Sequence, residues 1–545
     1  MKKVMLLVVA LIAFINSNAQ TAESAAAHIY YQRYASAVKE LKSIIQQNKA
    51  TPYVWYMLGE VYLSQGKIEA AEKVFNQGIE KAVAGNIPKK SAALLYVGQA
   101  HYLLLKGETD KARKLMEELL ELTKYKNADV LIAVARANAD CKNGDKDWAL
   151  ALLEKAKKRT KNKASVLLVA GDVYRTISNG SMAVTFYNHS LAEDPSLAEA
   201  CYKMGLIYKT QKNTKAYAEQ FTKAVAVDSA YAPALYELYY YYFFRDIGKA
   251  GQLLPQYIRH SDPSIQHQYM TTDYLYAVAA YKEALQAADE LIKSEGNEVQ
   301  PRLYKLIAYS KAALMDSTDA FAAMKKYFTY QDTAEYVARD YLLMAQLSEF
   351  QKDSVGETVQ WYKRALAAED KSEDSLQLMQ HIAFIYKKAG DRAEEAIWRQ
   401  QIIQHKENPN NLDLYNWGVA LYMAGAFQSA DSVFGMYTAK YPEQVHGPLW
   451  QARCNALIDT SMEMGLAVPH YKKLIEVAAT DTVANKTYLL TAYGYLASFE
   501  ANVTKDYEAS LLYFEKMLAL DPDNKDALRY TGILKKWIDE DDGTK

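Results

Sequence analysis

Residues 166–176 read VLLVAGDVYRT, and residues 200–210 read ACYKMGLIYKT. Gly171 and Gly205 occupy equivalent positions in these stretches, and a tyrosine follows each of them three residues later. Self-similarity at a fixed period of about 34 residues indicates a repeat protein, in which each unit packs only on its neighbours. The period therefore predicts an elongated stack of similar units, so that the length of 545 residues does not require one large core.

The rest of the period follows Gly171 in the order Ala183, Tyr187 and Pro195. An earlier copy of the pattern comprises Trp55, Leu58, Gly59, Tyr62, Gly66, Ala71 and Phe75. A small residue in a first helix, an alanine early in a second helix, an aromatic residue one turn later and a closing proline together resemble the tetratricopeptide repeat. The resemblance implies an all-α fold, a right-handed α-solenoid or superhelix, that forms binding surfaces and carries no chemistry of its own.

The repeats predict a domain organisation of about 13 or 14 helix pairs. We expect an N-terminal array over 20–265, a C-terminal array over 376–523, and a capping helix with an acidic tail over 524–545. Between the arrays, residues 266–375 keep apolar residues at helical spacing but lack the signature glycine. The sequence leaves open whether this divergent section is a hinge or part of a continuous superhelix.

The segment 1–19 predicts a signal peptide. Lys2 and Lys3 precede a short apolar run, and small residues follow at Ser17 and Ala19. We expect cleavage after Ala19 and export to the periplasm or the cell envelope, with no later membrane-spanning segment. An uncleaved anchor is the alternative, and the sequence does not choose between inner- and outer-membrane association.

Composition and motifs argue against several classes of function. A net charge of −1 and a pI near 6.8 leave no basic footprint for nucleic acid. The sequence contains no paired Cys-x-x-Cys, no His-Glu-x-x-His and no phosphate-binding glycine loop, so we expect neither metal nor cofactor. Cys141, Cys201 and Cys454 form no disulfide framework, and we expect them to be buried thiols. We predict that the chain is not an enzyme.

Tyrosine is over-represented, at 44 residues, and suits a recognition surface because it combines area, rigidity and a hydroxyl group. In the tetratricopeptide family the first helix of each repeat lines the concave groove. Carrying that register onto this chain predicts the following groove residues: Tyr53, Tyr56, Tyr102, Asp172, Arg175, Tyr202, Lys209, Tyr236, Tyr240, Phe243, Phe384, Lys387, Tyr415 and Tyr422.

The densest aromatic stretch runs from Tyr236 to Phe244 and holds seven aromatic residues. Because they surround the whole helix, they cannot all face one packing partner. Either neighbouring repeats bury both sides of the helix, or an aromatic patch at Tyr236, Tyr240 and Phe243 faces the groove and anchors a peptide or a glycan.

A recurrent tripeptide of Asp, Ser or Thr, and an apolar residue or Thr resembles the acceptor motif of a bacterial O-glycosylation system. The hydroxyl groups concerned belong to Ser229, Ser317, Thr333, Ser354, Ser375, Ser432 and Thr482. The alternative is that the same residues are helix caps at repeat junctions, where Asp, Ser and Thr are favoured. Ser432 fits neither interpretation, because its surroundings predict the interior of a second helix.

These features predict a scaffold or adaptor that binds an envelope-associated protein or peptide partner in its groove. The main alternative is carbohydrate binding, with the same tyrosines stacked on the rings of an envelope glycan or polysaccharide. A third alternative, an undetected enzyme, would require polar groups to converge within 266–375.

Overall fold

The computed structural model describes residues 22–369 and 371–542, and within these ranges it contains 29 α-helices and no β-strand. The predicted all-α solenoid class is confirmed. The predicted signal peptide over 1–19 lies outside the described residues. None of the described helices is long and apolar enough to cross a membrane.

The chain divides into two compact units, Met1–Val299 (unit 1) and Gln300–Lys545 (unit 2). The described helices of unit 1 form eight successive pairs: α1 (Ala22–Tyr30) and α2 (Tyr34–Gln46), α3 (Pro52–Ser64) and α4 (Ile68–Ala84), α5 (Ala93–Leu105) and α6 (Thr109–Leu122), α7 (Ala128–Asp140) and α8 (Lys146–Lys157), α9 (Lys163–Thr176) and α10 (Gly180–Glu193), α11 (Ala198–Thr210) and α12 (Thr214–Val227), α13 (Ala232–Phe243) and α14 (Ile247–His260), α15 (Ile265–Ala277) and α16 (Tyr281–Glu295).

The described helices of unit 2 form six further pairs and a last single helix, which packs on α28: α17 (Arg302–Ala313) and α18 (Ser317–Tyr330), α19 (Ala338–Phe350) and α20 (Val355–Ala367), α21 (Ser372–Ala389) and α22 (Arg392–His405), α23 (Asn411–Met423) and α24 (Phe427–Lys440), α25 (His446–Ile458) and α26 (Val468–Ala478), α27 (Lys486–Phe499) and α28 (Tyr507–Leu520), and α29 (Lys525–Asp542). Helix pairs thus continue through the section without signature glycines, and the boundary between the units falls inside that section.

Close contact between the two helices of a pair explains why the signature glycine recurs. A Cβ atom added at Gly171 would lie 2.4 Å from the ring of Tyr187, and one added at Gly205 would lie 2.4 Å from the ring of Phe221. Both rings are fully buried. Glycine is needed because any larger side chain would overlap the aromatic ring of the second helix.

Polar caps set where the second helices begin. The side chain of Asn179 accepts a hydrogen bond from the backbone N–H of Met182, and that of Asn213 does the same from Ala216. Such caps satisfy N–H groups that have no partner inside the helix. The three cysteines are free and buried, as predicted.

Candidate functional site

The first helices of unit 1 form an inner wall, because α3, α5, α7 and α9 pack side by side. A cavity of about 460 Å³ lies against this wall, with α1 contributing a further side. We call it the unit 1 cavity. Its lining includes Ala26, Ile29, Tyr53, Tyr56, Met57, Glu60, His101, Arg136 and Asp140.

Tyr53 and Tyr56, both predicted groove residues, lie together in this cavity. Tyr53 is 44% exposed and Tyr56 is half-buried, and their ring centroids are 6.2 Å apart. The same two rings line an adjoining cavity of about 510 Å³, together with Asp129, Ile132 and Arg136. The structure therefore brings two aromatic side chains to a concave surface with room for a ligand.

An ion pair lies at the base of the unit 1 cavity. The Nδ1 atom of His101 is 3.2 Å and 3.1 Å from the two carboxylate oxygens of Glu60, and His101 is only 5% exposed. Burial acts to lower the pKa of His101, but the Glu60 carboxylate and a hydrogen bond with Cys141 outweigh it and hold the pKa well above 6.5. The contact joins α3 to α5 within the wall.

Arg136 and Asp140 add exposed charges of both signs, and the sequence analysis missed them. Both lie on α7, four residues apart, so they share one side of that helix. No groove residue was predicted on α7, whereas α13 and α21, which also lack glycine, carried predicted groove residues. The available signal was the interruption by charged residues of a helix otherwise rich in alanine, valine and leucine.

Tyr102 does not line the inner wall, which corrects the prediction for this residue. It is only 8% exposed and belongs to the same hydrophobic cluster as Phe75 and Leu95. Burial raises the pKa of Tyr102 to about 12, with a further contribution from a hydrogen bond to Glu72. Because Glu72 belongs to α4, the hydroxyl group of Tyr102 points toward a second helix and away from the inner wall.

Asp172 is also a structural residue, contrary to its predicted place in the groove. It is 8% exposed, accepts a hydrogen bond from the Tyr187 hydroxyl at 2.8 Å, and lies 2.7 Å from the Nζ atom of Lys203. Lys203 in turn lies 2.8 Å from Glu199. Burial acts to lower the pKa of Lys203, but Asp172 and Glu199 outweigh it and raise the pKa. This network joins three consecutive helices, α9 to α11.

The neighbouring predicted groove residues differ in how open they are. Arg175 is exposed. Tyr202 is half-buried, with its ring centroid 5.6 Å from that of Tyr231. Lys209 is exposed, and its ammonium group lies 2.6 Å from the carboxylate of Glu237. The lysine and arginine thus remain accessible, whereas Tyr202 contributes mainly to packing.

The aromatic run on α13 serves mainly as packing. Tyr239 is 1% exposed, whereas Tyr236, Tyr240 and Phe243 are half-buried in a cluster with residues of α14 and α15. The rings of Tyr236 and Tyr240 meet edge to face at 4.9 Å, and burial raises the pKa of Tyr240 to about 12. Phe244, which directly follows the helix, is the most exposed residue of the run, at 77%. Contact with neighbouring helices therefore accounts for most of the run.

Unit 1 closes on itself through its first helix pair. The carboxylate of Asp262 accepts hydrogen bonds from the backbone N–H of Ala35 at 2.7 Å and of Ser36 at 3.3 Å, across 227 and 226 residues of sequence. The ring of Tyr30 packs on the fully buried ring of Tyr231, 5.3 Å between centroids. The pair α1–α2 thus contacts the junctions that precede α13 and α15, and no sequence motif announced this contact.

The predicted groove residues of unit 2 lie in two places. Phe384 is 51% exposed and Lys387 is exposed; the Phe384 ring lies 6.3 Å from that of His381. Tyr415 and Tyr422 are half-buried and meet the ring of Trp450 edge to face, at 6.1 Å and 5.0 Å. Phe384 and Lys387 therefore remain open to a partner, whereas the two tyrosines have a packing role.

A cavity of about 430 Å³ lies beside Phe384 in unit 2, lined by side chains of α19 and α21 that include Gln346, Gln377 and His381. The Nε2 atom of His381 is 3.1 Å from Glu349, which also accepts a hydrogen bond from the Tyr362 hydroxyl at 3.1 Å. Unit 2 thus has its own polar surface on first helices, although it is less aromatic than that of unit 1.

The tripeptides fall mostly at helix junctions, where their aspartates serve as caps or turn residues. Asp228, Asp316, Asp332 and Asp481 each accept a hydrogen bond from a backbone N–H two or three residues later. The exposed hydroxyl residues are Ser229, Thr333, Ser354, Ser432 and Thr482, while Ser317 is half-buried. Ser375 is 8% exposed, which leaves no room for a glycan and corrects the prediction there. Ser432 lies inside α24, as expected, and donates to the carbonyl of Gln428.

Among the described residues, no group of three or more His, Cys, Asp or Glu side chains is placed to hold a metal ion. Burial also makes the thiols of Cys201 and Cys454 poor nucleophiles, because it disfavours their thiolate forms. Burial raises the pKa of Cys201, and it raises the pKa of Cys454 to about 12.

Comparison with known proteins bears on the repeats directly. Two family models described as tetratricopeptide repeat match residues 29–85 and 198–231. No curated protein matches the chain. Among solved structures, the C-terminal part of a TPR repeat-containing protein from Cytophaga hutchinsonii is 25% identical, covers 48% of this chain and 98% of its own, and has a TM-score of 0.31.

A tetratricopeptide repeat protein from Parabacteroides merdae is 17% identical, covers 46% of this chain and 96% of its own, and has a TM-score of 0.30. PilF from Pseudomonas aeruginosa is 17% identical, covers 41% of this chain and 97% of its own, and has a TM-score of 0.27. The family matches fall on α1 to α4 and on α11 and α12, where the signature residues stand. This chain therefore contains tetratricopeptide repeats, at residues 29–85 and 198–231.

Proposed function

We propose that the chain is a non-catalytic scaffold or adaptor that binds a protein or peptide partner along the inner wall of unit 1, within the bacterial cell envelope. The observation that carries the proposal is the pairing of Tyr53 and Tyr56 at two adjoining cavities on that wall. Partly exposed tyrosines in a concave surface are typical anchors for a partner segment.

The charges of the wall suit a polar protein segment rather than a nucleic acid. Arg136 is a cation beside the two tyrosines, and Asp129 and Asp140 are nearby anions. A surface with both signs of charge fixes the orientation of a bound segment, because each charge favours its opposite at one position only. The envelope location is supported by the basic and apolar composition of the segment 1–19.

The binding proposal is tested by photo-crosslinking in the cells that produce the chain. Benzoylphenylalanine replaces Tyr53 in one variant and Met182, an exposed residue of the second helix α10, in the control. One dominant protein adduct at position 53 and none at 182 would support the proposal. Carbohydrate adducts at position 53 would favour the glycan alternative. A folded protein with no adduct at position 53 would contradict binding at this wall.

The location is tested separately by cell fractionation and by sequencing the N-terminus of the purified protein. We expect recovery in the envelope or periplasmic fraction and a mature N-terminus at Gln20. A cytoplasmic protein that retains Met1 would contradict the export part of the proposal without affecting the binding part.

A further inference from the structure

Unit 2 contains a cavity on its second helices that the partner-binding proposal does not use. The cavity measures about 570 Å³ and lies between α18 and α20, with Met344 of α19 at its base. Its floor is formed by Phe321, Phe328 and Trp361, all half-buried. Second helices in a repeat of this kind commonly present charged side chains to solvent, so an aromatic floor here needs an explanation.

The floor is held rigidly from behind. The Phe328 and Trp361 ring centroids are 5.0 Å apart, and Tyr341 stacks on Phe328 at 5.4 Å. The Tyr336 hydroxyl, with one proton to donate, lies 2.9 Å from the backbone carbonyl oxygens of both Phe328 and Gln331. The aromatic surface is therefore preorganised, and a ligand would not have to order it.

The rim of the cavity contains both hydrogen-bond donors and acceptors. Lys325 and Arg364 supply cationic donors, Asp353 and Glu357 supply carboxylate acceptors, and Gln360 supplies both kinds of group. Asp353 is already oriented by a 2.9 Å hydrogen bond from the hydroxyl of Ser348. The two positive and two negative charges cancel formally.

We propose that this cavity binds a neutral oligosaccharide. A sugar hydroxyl donates and accepts at the same time, so a rim of mixed donors and acceptors can satisfy several hydroxyls of one ring. The C–H groups of a sugar pack on the part of the aromatic floor that stays exposed, since all three of its rings are only half-buried. A neutral ligand also agrees with a rim whose formal charges cancel.

A basic peptide segment fits this cavity less well. The ammonium group of Lys325 already lies 4.2 Å from the Phe321 ring centroid, and the guanidinium group of Arg364 lies 4.5 Å from that of Trp361. The protein's own cations thus take cation–π positions that a lysine or arginine of a partner would use. An acidic segment would meet Asp353 and Glu357 at the same rim.

The site is tested by titrating the full chain with neutral hexasaccharides, namely maltohexaose, cellohexaose, mannohexaose and xylohexaose, using isothermal titration calorimetry. We expect millimolar or tighter binding of at least one of them. Glu357→Gln and Gln360→Ala should each weaken that binding by about tenfold, the effect of one lost hydrogen bond to a charged or desolvated group. Both side chains are exposed, so these variants leave the core intact.

Two controls separate this site from the inner wall of unit 1. Gln400→Ala changes an exposed glutamine on the second helix α22, and Tyr53→Ala removes a groove tyrosine; neither should alter sugar binding. The proposal would be overturned by no binding of any of the four sugars at millimolar concentration. It would also be overturned by binding that survives both rim variants or that is lost with Tyr53→Ala. The inference does not rest on the proposed function, so either can fail alone.

Discussion

The contact between Gly59 and Phe75 yields the sharpest prediction for stability. A Cβ atom at Gly59 would lie 2.0 Å from the ring of Phe75, whereas nonbonded carbon atoms prefer about 3.5–4.0 Å. The ring has no room to retreat, because it is fully buried and a Cβ atom at Gly98 would lie 2.3 Å from the same ring edge. The ring is thus wedged between the first helices α3 and α5.

We therefore expect Gly59→Ala to destabilise unit 1. Overpacking of a close-packed core costs about 1–3 kcal/mol, and an overlap of this depth belongs at the upper end of that range. Alanine is favoured over glycine in a helix by about 1 kcal/mol, which offsets part of the cost. The net loss in the free energy of unfolding is about 2 kcal/mol, measured from amide hydrogen exchange of α3 and α4 or from urea unfolding.

The matched control is Gly532→Ala, within α29, where nothing lies within 4 Å of an added Cβ atom. This variant should gain up to about 1 kcal/mol of local stability from helix propensity alone. Combining Gly59→Ala with Phe75→Leu should cost less than the sum of the single changes by about 1 kcal/mol or more, because the smaller side chain relieves the overlap. A neutral or stabilising Gly59→Ala, or simple additivity with Phe75→Leu, would refute the packing argument.

Three further predictions concern the closure of unit 1, the buried ion pair and the tripeptides. Asp262→Ala removes the cap of α2 and should speed amide exchange in α1–α2 by roughly fivefold, for about 1 kcal/mol of capping energy, while α9 is unchanged. His101 has a raised pKa in the folded state, so its stabilising contribution is complete below pH 6.5 and is lost as the pH rises through the folded-state pKa. His101→Gln should therefore reduce the pH dependence of the melting temperature, measured from pH 6 upward. If the tripeptides are glycosylated, mass spectrometry of the native protein should find no glycan on Ser375. It should find glycans on the exposed junction residues, namely Ser229, Thr333, Ser354 and Thr482.

Each of these expectations has an outcome that would contradict it. Unchanged exchange in α1–α2 of Asp262→Ala would mean that the aromatic contacts alone hold the first pair. If His101→Gln and the unchanged protein lose stability in parallel as the pH rises, the His101–Glu60 ion pair does not cause the pH dependence. A glycan on Ser375 would show that its surroundings open to the modifying enzyme. If none of the junction residues carries a glycan, the tripeptides serve only as helix caps.

The sequence was most informative where a contact repeats along the chain. The spacing of Gly171 and Gly205 identified the repeat because each glycine accommodates a ring of its own second helix, Tyr187 or Phe221. A contact within one pair leaves a local pattern, and the pattern returns with every pair. Because the repeat fixes which positions of a first helix face the groove, its register alone predicted Tyr53 on the inner wall, where it lines the unit 1 cavity.

Register failed where the direction of a side chain depended on contacts outside its own repeat. Tyr102 turns toward Glu72 of α4 and is buried, although its position in the repeat matches that of a groove residue. Arg136 and Asp140 went unnoticed because no groove register was carried onto their helix. The sequence contained these side chains but gave no measure of what surrounds them.

By itself, the sequence determined that this protein is a stack of helix pairs, because helical periodicity and close glycine–ring contacts are local and recur. Only the tertiary structure decided that α1–α2 meets Asp262 and Tyr231, and which aromatic residues remain open to a ligand. Contacts between such distant parts of the chain depend on the summed rotation of many successive pairs. Small differences in helix packing add up over those pairs, so no short motif records where the chain returns to itself.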